Sequence, residues 1–488
     1  MNPVQTDRVD FGLAPVDQLI CAYLALPLLV FCAWFKWPAA LVLGLLGLGA
    51  FIAAVGVPKW RPTGLPVRTL VALALLAFAW TALSGVGHFV YANPDWYTRD
   101  AVLRDLVKTP WPPAYDMTGD WPLILRAPVG YYLPVALFGS LAGLDAADLA
   151  LYVWTAAGFL LFAWAAMLLF RTRGERLLCV ALLVGFGGLD LVGWYLGNGY
   201  AAPLGEHVDR WSPLAQYSSN STLLFWVPNH ALPAWLGTLL ALRHWRQPAL
   251  ARVAPLVAAA IPLWSPLAAI GLAPYFVAGI AWRRDWRILF NVRAAFPLYA
   301  VALIAARYLT LSAARIPSGW SIHQYASVTA FLRDDLLFCL LEFGIIAAIL
   351  VRLGVRDLPF LLAIAILGVL PLYRFGASDD LAMRSSIPAL TVLALATVRP
   401  MLHAGDRAWR AILAVVLIVG ALGSAQEPER AILHKRWAMK RISLGQVGNE
   451  RGTYLGWVPP HYGAYLNHPG LSALLREPSP VQPEAASR

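Results

Sequence analysis

Charge is what this sequence holds least of. Of its 488 residues, 13% are Asp, Glu, Lys or Arg, about half the share usual in a soluble domain. Against that, 59% are hydrophobic and the mean hydropathy is +0.61. A water-soluble fold is excluded on that balance. Also missing are a P-loop and a glycine-rich dinucleotide fingerprint, which leaves soluble nucleotide chemistry without a home. Cysteine is scarce. Cys21, Cys32, Cys179 and Cys339 all lie inside apolar segments with no metal-ligand spacing and read as small packing residues. No basic stretch opens the chain, since Asp7, Arg8 and Asp10 precede the first apolar run and no convincing cleavage site follows; that run is expected to be retained as a helix. Internal repeats are not evident. Low complexity is confined to the terminal EPSPVQPEAASR, a proline-rich polar end expected to be disordered.

Long hydrophobic runs are what is there. They fall near 17–36, 38–57, 67–90, 148–170, 176–196, 229–243, 251–266, 267–282, 289–310, 335–352, 357–373, 384–399 and 409–424, about 13 helical spans of roughly 20 residues each. The sequence predicts an all-α fold, a polytopic transmembrane helical bundle over residues 1–424, followed by a C-terminal tail over 425–488. Little chain remains for a separate soluble catalytic domain. The run 128–144 is short and interrupted by Pro134 and Gly139, and is expected to be a re-entrant or interfacial helix. With it left out of the count, Lys59, Arg61, Arg171, Arg173, Arg176, Arg243, Arg246, Arg283, Arg284, Arg287, Arg352, Arg356, Arg407 and Arg410 all fall on one side, the cytoplasmic one. The net charge of +11 then reflects topology and not nucleic-acid binding.

The opposite side collects the long loops 91–147, 197–228, 311–334 and 374–383, which carry most of the carboxylates. An acidic, structured outer face over a basic inner one suits an enzyme working outside the cytoplasmic membrane. The tail opens with Arg430, His434, Lys435, Arg436, Lys440 and Arg441, which favour the cytoplasm, yet the odd span count places it outside. There Tyr454, Trp457, Tyr462 and Tyr465 are expected to pack it on the outer face or the headgroups.

The first outer loop is the most informative stretch: His88-Phe-Val-Tyr-Ala-Asn93-Pro94-Asp95-Trp96-Tyr-Thr-Arg99-Asp100-Ala-Val-Leu-Arg104-Asp105-Leu-Val-Lys108. Asn93-Pro94 starts a turn. The spacing of Ala101, Leu103, Leu106 and Val107 then predicts an interfacial helix lying flat on the membrane surface. Asp95 precedes its first turn, near the positive helix end that keeps a carboxylate ionised. An ionised carboxylate just above the lipid is what removal of a proton from a sugar hydroxyl requires. The same position also suits a plain helix N-cap.

A hydrophobic helix running into a short outer loop that opens with an acidic residue and continues into an interfacial helix resembles the GT-C superfamily of integral-membrane glycosyltransferases. Asp95-Trp96 followed by Arg99-Asp100-Ala-Val-Leu-Arg-Asp-Leu resembles a bacterial branch of that group. The resemblance covers roughly the first 200 residues. It implies a polyprenyl-phosphate sugar as donor and a catalytic Asp in the first outer loop, here Asp95, with Asp100 as the second candidate. The doubled acidic signature of some members is missing, because Asn93-Pro94 precede Asp95.

A second polar cluster is Tyr373-Arg374-Phe-Gly-Ala-Ser-Asp379-Asp380-Leu-Ala-Met-Arg384-Ser385-Ser386-Ile-Pro388. Arg384, at the start of a span with serine hydroxyls beside it, suits a lipid-linked phosphate, because its planar fork donates two parallel hydrogen bonds. Asp379 and Asp380 are placed to orient Arg374 and Arg384, or to hold a divalent cation bridging a diphosphate. The plain alternative is an interfacial arginine neutralised by its neighbours. Inside the spans, Asp190 and Glu342 stand where burial makes a role the default reading, although each also serves as a hydrogen-bonding link to a neighbouring helix. Asn229-His230, after Phe225-Trp-Val-Pro228, is a candidate pair for orienting an acceptor, against the common structural role of a lone histidine. Most of the 21 Trp sit at span ends as anchors; Trp111, Tyr115, Tyr131 and Tyr132 share a loop with Asp95 and are placed to stack on sugar rings.

Together these residues predict transfer of a sugar from a polyprenyl-phosphate donor to a glycan or lipid acceptor. Asp95 is the base, Arg384 with Arg374 or Arg99 stabilises the departing phosphate, and Asp190, Asn229 and His230 complete the substrate site. A transporter or lipid flippase is the first rival, with the proline-broken stretch 251–282 lining a path, but the inverted repeats that would favour it are not seen. A polymerase or ligase of lipid-linked glycans is the second, and it predicts paired arginines in one large outer loop, whereas these are spread among loops. An assembly scaffold is the non-catalytic third.

Overall fold

A computed structural model of the chain describes residues 13–56, 64–284, 286–290, 295–376, 379–451 and 462–482. Its helices follow the apolar runs: α1 (Pro15–Phe31), α2 (Trp37–Val55), α3 (Val67–Leu83), α4 (Trp96–Lys108), α5 (Leu133–Ala142), α6 (Leu144–Met167), α7 (Arg173–Gly185), α8 (Asp190–Asn198), α9 (Asn220–Trp226), α10 (Pro228–Arg243), α11 (Pro248–Trp264), α12 (Pro266–Arg283), α13 (Phe296–Leu309), α14 (Val328–Cys339), α15 (Ile345–Arg352), α16 (Leu358–Val369), α17 (Asp380–Ser385), α18 (Ile387–His403), α19 (Arg407–Leu433), α20 (Leu444–Arg451) and α21 (Pro469–Leu474). Proline opens several of them, at the first-turn positions where its missing N–H costs nothing.

Among the described residues six stretches are long and apolar enough to cross a membrane: Pro15–Trp34, Trp37–Val55, Leu144–Met167, Arg173–Asn198, Pro266–Arg283 and Arg407–Leu433. Shorter apolar helices pack among them. Leu45, Leu75, Ile270 and Val415 point outward and are more than half exposed, part of an apolar surface that suits lipid contact. Helix α5 has 10 residues and so rises about 15 Å, half the thickness of a bilayer core; it follows the short run 128–144 without being long enough to cross.

Of the boundaries that differ from the sequence reading, four have a local reason. Helix α3 stops at Leu83 because Gly85 and Gly87 adopt positive φ, so 84–95 joins the loop. The run 176–196 is broken at Phe186–Leu189, where the freed backbone bonds elsewhere: Asn220 N donates to Phe186 O at 2.8 Å and Leu189 N to Leu341 O at 3.0 Å. The run 335–352 starts earlier, at Val328 behind a Ser327 N-cap, and passes through a π-helical turn at Leu340–Gly344. Helix α19 continues to Leu433, so Arg430 belongs to it and not to the tail.

Helix α4 forms as its spacing predicts, but it is not laid open on a surface. Trp96 and every residue from Thr98 to Val107 are buried, because the tail closes over it. Strands β1 (Pro113–Asp116) and β2 (Leu123–Leu125) pair with each other and with tail strands β5 (Gly463–Tyr465) and β6 (Ser479–Pro480), in the order β5-β2-β1-β6. Loop strands with open edges are thereby satisfied by tail backbone. The tail also meets the α1–α2 turn, through Lys36 N to Leu474 O and Arg476 N to Trp34 O, both 2.9 Å. It therefore lies at the same end of the bundle as loop 91–147. A separate ribbon joins β3 (Ser318–Trp320) to β4 (Tyr373–Phe375). Tyr454, Trp457 and the tail end 483–488 lie outside the described residues.

Candidate active site

Helix α9 is one of the shortest; Val227 N reaches back to Leu223 O, and the carbonyls of Phe225 and Trp226 at its end look outside the helix for donors. The turn before α4 supplies them. Phe225 O accepts from Asn93 Nδ2 at 2.7 Å and from Trp96 Nε1 at 3.3 Å, and Trp226 O accepts from Arg99. Asn93 Oδ1 in turn accepts from Asp95 N at 3.1 Å, a side-chain turn of the kind Asn-Pro favours. Asp95 occupies the N-cap position of α4, yet its carboxylate makes no capping bond. It pairs instead with Arg99 at 3.4 Å, with its side chain 34% exposed. The carboxylate is thus held by a cation on one edge and open on the other.

Arg99 ties the centre together. It is buried, hydrogen-bonds Tyr132, lies over the Trp96 ring and donates through Nη1 to Asn229 Oδ1 at 2.8 Å. Asn229 Nδ2 lies 3.2 Å from His230 Nε2, and His230 Nδ1 lies 2.8 Å from Ser265 Oγ. Ser265 caps α12 by accepting from Ala268 N at 3.2 Å. A continuous polar chain therefore runs from Asp95 through Arg99, Asn229 and His230 to the positive end of an 18-residue helix.

Arg384 reaches the same place from the other side. Helix α17 rests on the first turns of α12, with Ser385 Oγ donating to Leu267 O at 2.7 Å. A Cβ on Gly271 would stand 2.1 Å from Ser385 O, so only glycine permits this approach. The positive charges of Arg384 and Arg99 both act on His230. Arg384 is paired with Asp380 one helical turn away. Gly271→Ala is expected to lift α17 at a cost of about 1–3 kcal/mol, read as a lower melting temperature; an unchanged melt would show that α17 is not seated this way.

The remaining predicted residues lie elsewhere. Asp100 faces the tail: His88 Nε2 approaches it at 3.2 Å and Lys440 N donates to it at 2.9 Å. His88 Nδ1 meets Asp148 at 3.1 Å, and the Trp437 ring covers the imidazole. This is a latch for the tail and leaves Asp100 no open edge. Burial opposes a charge on His88, but the hydrogen bonds to Asp100 and Asp148 outweigh it and raise the imidazole from 6.5 to about 9. The stabilisation is therefore complete below pH 6.5 and is lost as pH rises through about 9. A gap in melting temperature between wild type and His88→Gln is expected at pH 6 and should close by about pH 10; a gap that stays constant would rule the latch out.

Arg374, on β4, reaches Gln324. Asp379 adopts a left-handed φ of 56° and is buried, with no good hydrogen bond to its carboxyl, and burial pushes it up to about 7. Among the described residues no group of three or more His, Cys, Asp or Glu side chains is disposed to hold a metal ion. Asp190 is buried in a second acidic pocket with Asp209 and Glu342. Trp226 stands between the two regions: its carbonyl meets Arg99, and its indole N–H donates to Glu427 at 2.7 Å, which in turn pairs with His207 at 2.8 Å.

An apolar groove begins one turn from Ser265, whose N–H bonds Ile261 O at 2.8 Å. It runs between α11 and α12 past Ile261, Ala269, Leu272 and Phe276 to Trp286 and Tyr299. No protein-family model, curated protein or solved structure matches the chain. What the site can do is thus a matter of its side chains: an open carboxylate, a fixed guanidinium beside it, a histidine, a second guanidinium at a helix N-terminus, and an apolar channel leading away. Ser265 and Trp226 join this centre with no signal beyond the Val-Pro-Asn229-His230 junction they surround, and Tyr132, expected from the sequence as a stacking aromatic, meets Arg99 instead.

Proposed function

We propose that this chain is a polytopic membrane glycosyltransferase of GT-C type, acting in a bacterial cytoplasmic membrane with its site on the outer side. It moves a sugar from a polyprenyl-phosphate donor to a glycan or lipid acceptor. The observation that carries the reading is Asp95, an uncapped, partly open carboxylate fixed by Arg99 at one end of a polar chain whose other end, Ser265, lies one turn from an apolar groove. In the reaction Asp95 takes the proton of the acceptor hydroxyl as that oxygen attacks the anomeric carbon. The bond from that carbon to the phosphate oxygen breaks, and the lipid phosphate leaves with the electron pair. Arg384, turning from Asp380 to the phosphate, and the N-terminus of α12 meet the growing charge. Asn229 and His230 orient the sugar, and the groove takes the isoprenoid chain.

The test is photolabelling in nanodiscs with a polyprenyl phosphate carrying a diazirine in its tail. Adducts are expected on Leu272 and Phe276, with labelling reduced at least about tenfold in Arg384→Ala, the loss of one strong charge-assisted contact. Labelling scattered over the outward-facing helices and indifferent to Arg384 would refute the assignment.

A further inference from the structure

We infer that Asp190 and Glu342 form a proton-binding site within the helical bundle, two carboxyls that hold one proton between them. The inference is independent of the transfer reaction, because neither residue belongs to the Asp95 centre.

Three features converge here. The break at Phe186–Leu189 brings backbone against Glu342: a Cβ on Gly188 would stand 2.5 Å from Glu342 Oε2. Glu342 itself sits in the π turn, 1% exposed, and Trp211 Nε1 donates to its Oε1 at 2.7 Å. Asp190 is wholly buried at the start of α8, and neither of its oxygens makes a hydrogen bond of good geometry. Helix breaks and π turns are the usual places where a bundle exposes ion-binding groups to its interior.

The charges around the pair are all of one sign or none. Asp190 faces Glu342 and Asp209. Glu342 faces Asp190, Asp209, Tyr217 and Cys339. The Gly420 and Gly423 stretch of α19 closes the pocket from the remaining side. Asp209 has its own compensation, since Ser219 N donates to it at 2.9 Å and the charge of His207 acts on it. Asp190 and Glu342 have no cation among the described residues. Two ionised carboxyls cannot be kept there side by side, whereas one shared proton removes a charge and supplies the O–H that the unbonded oxygens lack. A metal ion fits less well, because Trp211 already occupies Glu342 Oε1 and the acids are not disposed as a ligand set.

The experiment is infrared spectroscopy of the full chain in nanodiscs at about pH 8, where ordinary surface carboxyls are ionised. The carbonyl stretch of a protonated carboxyl is expected in wild type, to be lost in Glu342→Gln and to be lost or displaced in Asp190→Asn. Wild type treated with a hydrophobic carbodiimide is expected to carry an adduct on one of the two acids, which decides the matter without any variant should these fail to fold. Spectra that agree between wild type and both variants in this region overturn the site. So does carbodiimide labelling, or the carboxyl band, being abolished by millimolar Na⁺ or Mg²⁺, because the ligand is then a metal cation.

Discussion

Asp95→Asn is expected to remove sugar transfer almost completely, by about 10²–10⁴-fold in kcat, the usual worth of a positioned general base. The substitution keeps the size of the side chain and its contact with Arg99, so the fold and the affinity for lipid phosphate should stay as they are. The loss belongs to kcat and not to KM, because the proton moves only as the acceptor attacks. Asp100→Asn provides the contrast. Its carboxylate is taken up by His88 and the Lys440 amide, so that change should loosen the tail and spare the chemistry. Equal losses from both would mean that Asp95 has no special part.

The second large effect is expected at Arg99, for a different reason. Arg99→Met strands Asn229 Oδ1 and Trp226 O, both of which receive the guanidinium now, at about 1–3 kcal/mol for each buried group left without a donor. It also frees Asp95 to rotate. Activity should fall nearly as far as in Asp95→Asn, and unlike that variant the protein should melt several degrees lower. Arg99→Lys should recover little, because an ammonium is a single point of charge and cannot reach Asp95, Asn229 and the Trp226 carbonyl at once. A Met variant with wild-type turnover would detach Arg99 from the base.

How far such residues can be read without coordinates depends on what kind of signal each carries. The apolar runs were legible because helices long and apolar enough to cross a membrane leave a signal of length and composition, and their boundaries failed where glycine pairs or a π turn interrupt the period. Asp95, Arg99, Asn229, His230 and Arg384 stood out because polar residues next to spans are costly, and the structure brings the first four into hydrogen-bonded sequence, with the charge of Arg384 reaching His230. Asp100 and Asp190 carried the same signal for other reasons, a tail latch and a buried acid pocket. The sheet was illegible. Its strands are two to four residues long, too short for alternation to register, and they pair Leu123 with Tyr465 across most of the chain.

The most direct measurement uses the purified protein in nanodiscs with polyprenyl-phosphate sugars labelled in the sugar, offered one at a time with an extract of envelope glycans and lipids. Wild type should shift the label from the lipid phosphate to an acceptor with at least one of them, and Asp95→Asn should leave it where it was. Label that never leaves its lipid, or leaves it equally fast in both proteins, would contradict the proposal.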